Sequence, residues 1–453
     1  MARHCAGSGH SQGVHDQPRM LHRGPSPQPW LAQEYGRRDQ SSGVRALKTS
    51  VERILTTHVG SLVRTPAIID LQIRRSLGEA VDGAQFDAAV RQGVSEVVQR
   101  QIQAGIDIVD DGEYGKLNWI TYLGERLKGL DKTDLHTSVE DGARFWPEQE
   151  RFGEFYRAYL RHETTDWLPD TPALKRYSDI QMTDYQNVVC AGELEYQSAP
   201  LQRDIRNLKD ALAGKPYVEA FMPVVAPGSI EIVRNQYYTS EQDYLFALAR
   251  ELNKEYRQIV EAGFILQVDD AVVPAAYYYR FLDQPLSAYL AWAELRIEAL
   301  NRALTGIAPE RVRYHVCFGS QNMPHTTDPN LRDLMPLLLK VKAQGFSIEA
   351  SNPRHEHEWR IWRDVKLPAG KILIPGLISH STNVVEHPEL IAERIANFAG
   401  LVGRENVIAG TDCGFSQGWN SPRVHWQVQW AKLETLSAGA RLASQRLWGR
   451  RDD

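Results

Sequence analysis

Short runs of β-branched and aliphatic residues alternate along the chain with longer stretches whose apolar positions recur at helical spacing. From Arg53 onward this alternation predicts strand–helix units around a parallel sheet. The predicted strands are Ile54–Val59, Ile106–Asp110, Tyr217–Met222, Phe264–Val268, Val312–Val316, Ser347–Ala350, Ile372–Gly376 and Val407–Gly410. The clearest predicted helices are Phe86–Ala104, Glu241–Ala262, Ala288–Leu304, Leu331–Gln344 and Leu390–Val402. Four glycines follow helical stretches as C-terminal caps would: Gly105, Gly263, Gly345 and Gly403.

Eight such units predict an α/β fold of the TIM (β/α)8 barrel type. A doubly wound open sheet is the structural alternative, although no glycine-rich phosphate loop follows any strand. The stretch Asp131–Lys215 does not fit the repeat, and its acidic and aromatic content predicts an excursion over the barrel mouth. We therefore expect a single barrel over residues 49–453 that contains this excursion.

Residues 1–48 lack hydrophobic periodicity and carry histidines, glycines, serines, prolines and an excess of basic residues. This composition predicts a disordered tail or leader. An organelle transit peptide is the alternative, but three acidic residues and the missing amphipathic pattern argue against it. Met20 is an internal candidate start of translation.

The composition of the 453 residues narrows the class of protein. The net charge of −5 offers no electrostatic footprint for nucleic acid, and no apolar run is long enough to cross a bilayer. We therefore expect a soluble protein with neither a nucleic-acid nor a membrane partner. Four scattered cysteines are too few for a disulfide framework, and no apolar secretory segment opens the chain. A cytoplasmic location is expected.

The carboxyl ends of the predicted strands are unusually polar, and reactive groups of a TIM barrel come from these ends. His315 and Cys317 are two apart on one strand, so their side chains face the same side and could bind one ion. Glu349 and Cys413 end two other strands and could complete the set. Two thiolates favour zinc over magnesium or manganese. The alternative is a satisfied core histidine with buried, inert thiols.

Other strand-end residues admit two interpretations each. Glu113, Asp269 and Asp270 suggest a substrate amine, or else helix N-caps. His380 suggests a general acid, or else an exposed loop histidine. His355 and His357 offer a competing metal site, or else they face solvent. His325 and Asp328 could likewise bind a metal, or else they only shape a loop.

Seven segments together resemble the catalytic barrel of cobalamin-independent methionine synthases, in the superfamily that includes epoxyalkane:coenzyme M transferase. The resemblance covers residues 53–445. It rests on Thr56–Leu62, Asp111–Glu113, Gln267–Asp269, His315-x-Cys317, Glu349, Glu386–Leu390 and Ala409–Phe415.

The resemblance implies a role for each matching residue. It implies that His315, Cys317, Glu349 and Cys413 bind Zn²⁺, and that Ser61 holds the carboxylate of homocysteine. It also implies that Glu113 and Asp269 hold the substrate amino group and that His380 donates a proton.

Two departures from the family pattern bear on the substrates. Asp269 is followed by Asp270-Ala-Val rather than Glu-Pro-Ala, and the third strand lacks the Asn-Trp-Ser segment that stacks the folate pterin. The segments Cys317–His325 and Glu358–Asp364 are more similar to the coenzyme M transferase branch.

The sequence therefore predicts a zinc-dependent thiol S-alkyltransferase. Its partners would be a small-molecule thiol and an alkyl donor, and methyl transfer to homocysteine is the first choice. Epoxide opening by coenzyme M is the second, because Arg64, Lys116 or Arg354 could bind a sulfonate. A zinc-binding regulatory protein without catalysis is a third possibility. A metal-free barrel of the uroporphyrinogen decarboxylase type is a fourth, against which the four ligand-type residues count.

Overall fold

A closed barrel of parallel strands forms the centre of the computed structural model, which describes residues 46–132, 148–162, 173, 188–418 and 420–449. The eight barrel strands are β1 (Leu55–Thr56), β2 (Ile108–Val109), β5 (Glu219–Val225), β7 (Ile265–Asp269), β8 (Val312–Val316), β9 (Gly345–Ile348), β10 (Ile372–Ile378) and β11 (Ile408–Thr411). They pair in the order β1-β11-β10-β9-β8-β7-β5-β2, and a bridge between Thr57 and Ile108 joins the two ends. The predicted TIM barrel is confirmed, and the bridge excludes the open sheet.

Helices surround the barrel, and several begin with sequence features that favour a helix start. Pro66, Pro227 and Pro388 occupy first-turn positions, where a missing N–H costs nothing, while the Asp82 and Ser240 side chains accept capping hydrogen bonds. The helices are α1 (Pro66–Ser76), α2 (Gly83–Gln103), α3 (Gln149–His162), α4 (Ala199–Leu212), α5 (Pro227–Ile230), α6 (Glu241–Glu261), α7 (Val272–Arg280), α8 (Leu286–Ala303), α9 (Leu331–Leu338), α10 (Pro388–Val402) and α11 (Trp426–Trp448). Short 3-10 turns span Thr121–Glu125, Pro309–Arg311, Glu356–Arg363 and Arg404–Asn406.

Two predicted boundaries around β9 are wrong. The helix predicted to reach Gln344 ends at Leu338, two residues after an internal proline, Pro336. Gly345 is the first residue of β9 rather than a helix cap. Its lack of a side chain matters for packing, because a Cβ atom there would lie 3.0 Å from the Arg313 Cβ atom inside the barrel. The other three predicted cap glycines do have positive φ angles.

An apolar cluster fills the amino-terminal end of the barrel. It contains Leu47, Leu55, Ile108, Phe221, Ile265, Ile372, Ile374 and Ile408. Leu47 belongs to the predicted tail, yet it is buried here and its N–H donates to the Glu310 carbonyl at 2.8 Å. Packing of the barrel therefore begins before residue 49. Residues 1–45 of the predicted tail lie outside the described residues.

Parts of the predicted excursion are described. Strands β3 (Leu127–Lys132), β4 (Val188–Tyr196) and β6 (Arg234–Asn235) form a small separate sheet, in which β3 and β4 are antiparallel. Helix α4 packs on α2 in the outer ring, as the helix that precedes a barrel strand does. Residues 133–147, 163–172 and 174–187 of the excursion lie outside the described part. Among the described helices, none is long and apolar enough to cross a membrane.

Candidate functional site

Strand register places the predicted site residues at one level inside the barrel. Asp269 of β7 pairs with His315 of β8, which in turn pairs with Ser347 of β9. Side chains two apart on a strand share a face, so Cys317 lies above His315 and Arg313 lies below it. The Arg313 guanidinium is buried and lies 3.7 Å over the Phe221 ring, at the top of the apolar cluster. The side chains of Arg313 and Phe221 therefore close the barrel beneath the site.

Three ligand-type atoms, from His315, Cys317 and Cys413, lie within 4.8 Å of one another, and all three residues are buried. The two sulfur atoms are 3.7 Å apart. Tetrahedral zinc with Zn–S bonds of about 2.3 Å sets two ligand sulfurs about 3.8 Å apart. This spacing and the two-sulfur, one-imidazole donor set fit zinc.

The His315 ring is oriented for such a role. Its Nδ1 atom is hydrogen-bonded to the Ser347 hydroxyl at 3.2 Å, whereas its Nε2 atom is buried and has no hydrogen-bond partner. When Nδ1–H donates to Ser347, the Nε2 lone pair is available to an ion. Ser347 was not singled out from the sequence, although its place two residues before Glu349 on a strand put it on the inner face.

The two thiols shift each other's pKa. The hydrogen bond from Cys317 lowers the pKa of Cys413 well below its usual range, and the same contact raises the pKa of Cys317. Burial lowers the pKa of His315, but the adjacent Cys413 sulfur outweighs it, so the pKa of His315 is raised. The thiolate form is therefore favoured at Cys413, next to an imidazole whose protonated form is also favoured.

Glu349, the fourth predicted ligand, belongs to a second group of buried side chains. Its carboxylate accepts hydrogen bonds from the Phe318 N–H and the Asn352 side chain, both at 2.9 Å. Ligand-type atoms of Glu349, His380 and Asp412 lie within 4.8 Å of one another. The structure thus brings three of the four predicted ligands into one group and holds the fourth beside the proton-transfer candidate.

His380 is buried rather than exposed, and neither of its ring nitrogens has a hydrogen-bond partner. Burial lowers its pKa. An unpartnered buried ring next to a carboxylate is available to a substrate atom, because unsatisfied buried polar groups are costly unless something binds them. The role of proton donor remains a prediction.

Asp412 is a structural residue of the site that the sequence interpretation missed. Its carboxylate accepts hydrogen bonds from Ala350 N, Ser351 N and the Ser351 hydroxyl, at 2.8, 2.8 and 2.6 Å. Burial and the neighbouring Glu349 raise its pKa to about 8. These bonds tie the end of β9 to the end of β11, which carries Cys413. Its only sequence signal was its position next to that cysteine.

The three predicted substrate-binding residues surround the ion-binding group. Ser61 lies against Gly414, its carbonyl accepts from Phe415 N at 2.8 Å, and its own hydroxyl has no partner. One Glu113 carboxylate oxygen is likewise buried without a partner. Burial raises the pKa of Asp269 to about 8. These groups suit a ligand that carries both a charged amine and a hydrogen-bond acceptor.

Other candidates from the sequence do not reach the site. Asp270 accepts hydrogen bonds from the Ser229 and Tyr314 hydroxyls, both at 2.8 Å, and therefore does not serve as an amine receptor. His357 is exposed, whereas His355 is buried and stacks on Phe318. The competing histidine pair therefore does not converge on one ion.

The three cations considered for a sulfonate already donate to main-chain oxygens. The buried Arg64 guanidinium donates to the carbonyls of Ser416, Glu113 and Lys116. The Lys116 ammonium donates to the Pro223 carbonyl at 2.6 Å, and Arg354 donates to the His325 carbonyl at 2.8 Å. These contacts engage all three side chains, although the Arg64 Nε atom is buried without a hydrogen-bond partner.

Comparisons with known proteins agree with this geometry. Residues 54–144 match the family model described as cobalamin-independent synthase, catalytic domain. The methionine synthase of Saccharolobus solfataricus is 23% identical over 393 residues, which cover 86% of this chain and 95% of that protein. The methionine synthase of Thermococcus kodakarensis is 23% identical over 398 residues, covering 86% and 94%.

A solved structure shows the same fold. The B12-independent methionine synthase from Shewanella sp. W3-18-1, solved in complex with selenomethionine, matches with a TM-score of 0.61 and 19% identity. The match covers 88% of this chain and all of that one. Together with the barrel and its strand-end residues, these comparisons show that the chain is similar to cobalamin-independent methionine synthases in part of its sequence and in its fold.

Proposed function

We propose that the protein is a zinc-dependent S-methyltransferase whose acceptor is homocysteine or a similar amino thiol. The convergence of His315, Cys317 and Cys413 on one point carries the proposal. When bound there, zinc would act as a Lewis acid that lowers the pKa of a thiol, which ordinarily lies near 8.5. Glu349 is the fourth ligand that the family resemblance implies. The similar proteins from Saccharolobus solfataricus and Thermococcus kodakarensis are methionine synthases, which supports methyl transfer as the reaction.

The chain's own residues position the acceptor. Ser61 offers an unpartnered hydroxyl to a carboxylate, and Glu113 offers an unpartnered oxygen to an ammonium. Asp269, which burial keeps largely protonated, would ionise when an ammonium approaches it. The binding of selenomethionine by the Shewanella protein supports an amino-acid ligand of this shape.

His380 moves the proton in this proposal. Its two ring nitrogens lie buried and unpartnered beside Glu349, so one of them can donate a proton to the group that leaves the methyl carbon. The acceptor thiol loses its proton, its sulfur forms the new S–C bond, and the bond from carbon to the leaving group breaks as that group takes up the proton from His380. Burial excludes bulk water from the reacting atoms.

Coenzyme M is the less favoured acceptor. A sulfonate requires a free cation, and Arg64, Lys116 and Arg354 each donate to main-chain oxygens instead. Homocysteine requires no additional cation at the mouth. The unpartnered oxygens of Ser61 and Glu113 therefore favour the amino thiol.

A matrix of thiols against alkyl donors tests the proposal on zinc-loaded protein. Homocysteine and coenzyme M are each combined with methyltetrahydrofolate, other methyl donors and epoxypropane, and the thioether is measured by mass spectrometry. We expect methionine to form and epoxypropane to remain intact. Epoxide turnover with coenzyme M would reverse the assignment, and bound zinc without any product would indicate a regulatory protein.

Two substitutions separate metal binding from proton transfer. Cys413→Ser should lower the zinc content from about one per chain, whereas Cys190→Ser, which changes a buried thiol in the small sheet, should not. His380→Asn should keep zinc and lose turnover. Full turnover in His380→Asn would refute the proton-donor role.

A further inference from the structure

The Gln417 side chain contacts the sulfur of a predicted metal ligand. Its Nε2 atom lies 3.7 Å from the Cys413 Sγ atom and 2.6 Å from the Gly414 carbonyl oxygen. Its Oε1 atom accepts a hydrogen bond from Arg423 Nε at 2.8 Å. The side chain is 8% exposed. Both polar atoms of the buried Gln417 amide therefore make hydrogen-bond contacts.

The partners determine which way the amide faces. A guanidinium only donates hydrogen bonds and a carbonyl only accepts them, so Oε1 must face Arg423 and Nε2 must face Gly414. The second N–H of Nε2 is then left for the Cys413 sulfur. The Gln417 backbone is also held, since its carbonyl accepts from Trp119 N at 2.9 Å. The N–H···S contact follows from this arrangement.

A hydrogen bond to a thiolate reduces its nucleophilicity, because the donor withdraws charge from the sulfur lone pairs. An alkyltransferase holds an electrophilic carbon close to several sulfur atoms, only one of which should react. We propose that Gln417 is a positioning residue that shields the Cys413 sulfur from alkylation and leaves the substrate sulfur as the most reactive one. This inference rests on the proposed function, because it assumes an alkyl donor in the pocket.

Alkylation of the protein itself tests the proposal. Zinc-loaded wild-type protein and Gln417→Met are treated with iodoacetamide without any substrate thiol, so that a modified cysteine forms an S–C bond and releases iodide. Peptide mass spectrometry measures the rate at Cys413. We expect the rate to rise about tenfold in Gln417→Met, as loss of one charge-assisted hydrogen bond allows, with little change at Cys317.

A spectroscopic measurement excludes a merely structural effect. In cobalt-substituted protein, the sulfur-to-metal charge-transfer bands should shift to lower energy in Gln417→Met. Gln258→Met, a partly buried glutamine outside the barrel, is the matched control and should change neither quantity. If Gln417→Met does not retain metal, Arg423→Met replaces it as the test variant, because it removes the hydrogen bond that holds the Gln417 amide in place. The same two quantities, the Cys413 alkylation rate and the charge-transfer bands, are then measured.

Equal Cys413 alkylation rates and unchanged bands would overturn the proposal. Zinc content is measured for every variant. Because the assay contains neither homocysteine nor a methyl donor, shielding of Cys413 can be detected even if the proposed methyl transfer fails.

Discussion

Replacing Asp328 with asparagine should remove a pH-dependent part of the protein's stability. One oxygen of the Asp328 carboxylate contacts His325 Nδ1 at 2.8 Å and His355 Nε2 at 3.0 Å, and all three residues are buried or nearly so. The other ring nitrogen of His355 contacts Glu358 at 2.7 Å. Burial lowers the pKa of both histidines, but these carboxylates outweigh it and raise both values from 6.5 to about 9.

The magnitude follows from these values. A rise from 6.5 to about 9 corresponds to about 3 kcal/mol for one ring. Because both rings share one Asp328 oxygen, we assign about 3 kcal/mol to this carboxylate. The folded pKa values lie above the unfolded ones, so the stabilisation is complete below pH 6.5 and is lost as the pH rises through 9. For a barrel of roughly 400 residues, this is about 3–4 °C in Tm.

Thermal unfolding of wild type and Asp328→Asn, followed by circular dichroism between pH 6 and 9.5, measures the effect. The variant should unfold at a lower temperature at pH 6, and the two curves should approach each other by pH 9.5. Asp364→Asn, at an exposed ion pair with Arg332, is the matched control and should run parallel to wild type. Parallel curves for Asp328→Asn would show that the network does not hold charged histidines.

Two further perturbations test the site and the start of the barrel. Ser347→Ala should weaken zinc binding about 10- to 100-fold, because the His315 ring loses its orienting contact; isothermal titration measures this, and an unchanged affinity would contradict it. A chain that begins at Ala46 should keep the wild-type Tm, whereas one that begins at Thr49 should lose several degrees, because the buried Leu47 side chain is removed. Equal Tm values for the two truncations would show that Leu47 contributes nothing.

Local pattern was sufficient to predict the barrel. Its strands are short, rich in β-branched and aliphatic residues and fully buried, so they stand out in the sequence from the amphipathic helical stretches between them. The helix end at Leu338 follows from Pro336 rather than from periodicity, and the role of Gly345 could not be predicted from the pattern at all. That role depends on the distance to Arg313, a residue of the neighbouring strand, and periodicity carries no information about such distances.

The site was predictable to the extent that its residues end strands. His315 and Cys317 followed from their spacing, and Cys413 and Glu349 followed from strand ends together with the family resemblance. Asp412, Ser347 and Gln417 act through contacts with partners far away in the chain or across a tight turn. Only the folded barrel brings such partners together, so the sequence indicated at most the positions of Ser347 and Asp412 and not the contacts that they make.

The apolar cluster that seals the amino-terminal end has a consequence for turnover. Within the described residues, Leu47 and its neighbours fill that end of the barrel, and Arg313 with Phe221 lies above them, behind the sulfur ligands. In the proposed reaction, the acceptor and the donor would both enter from the opposite end, so the one that binds deeper would bind first. The architecture thus favours an ordered kinetic sequence for that reaction.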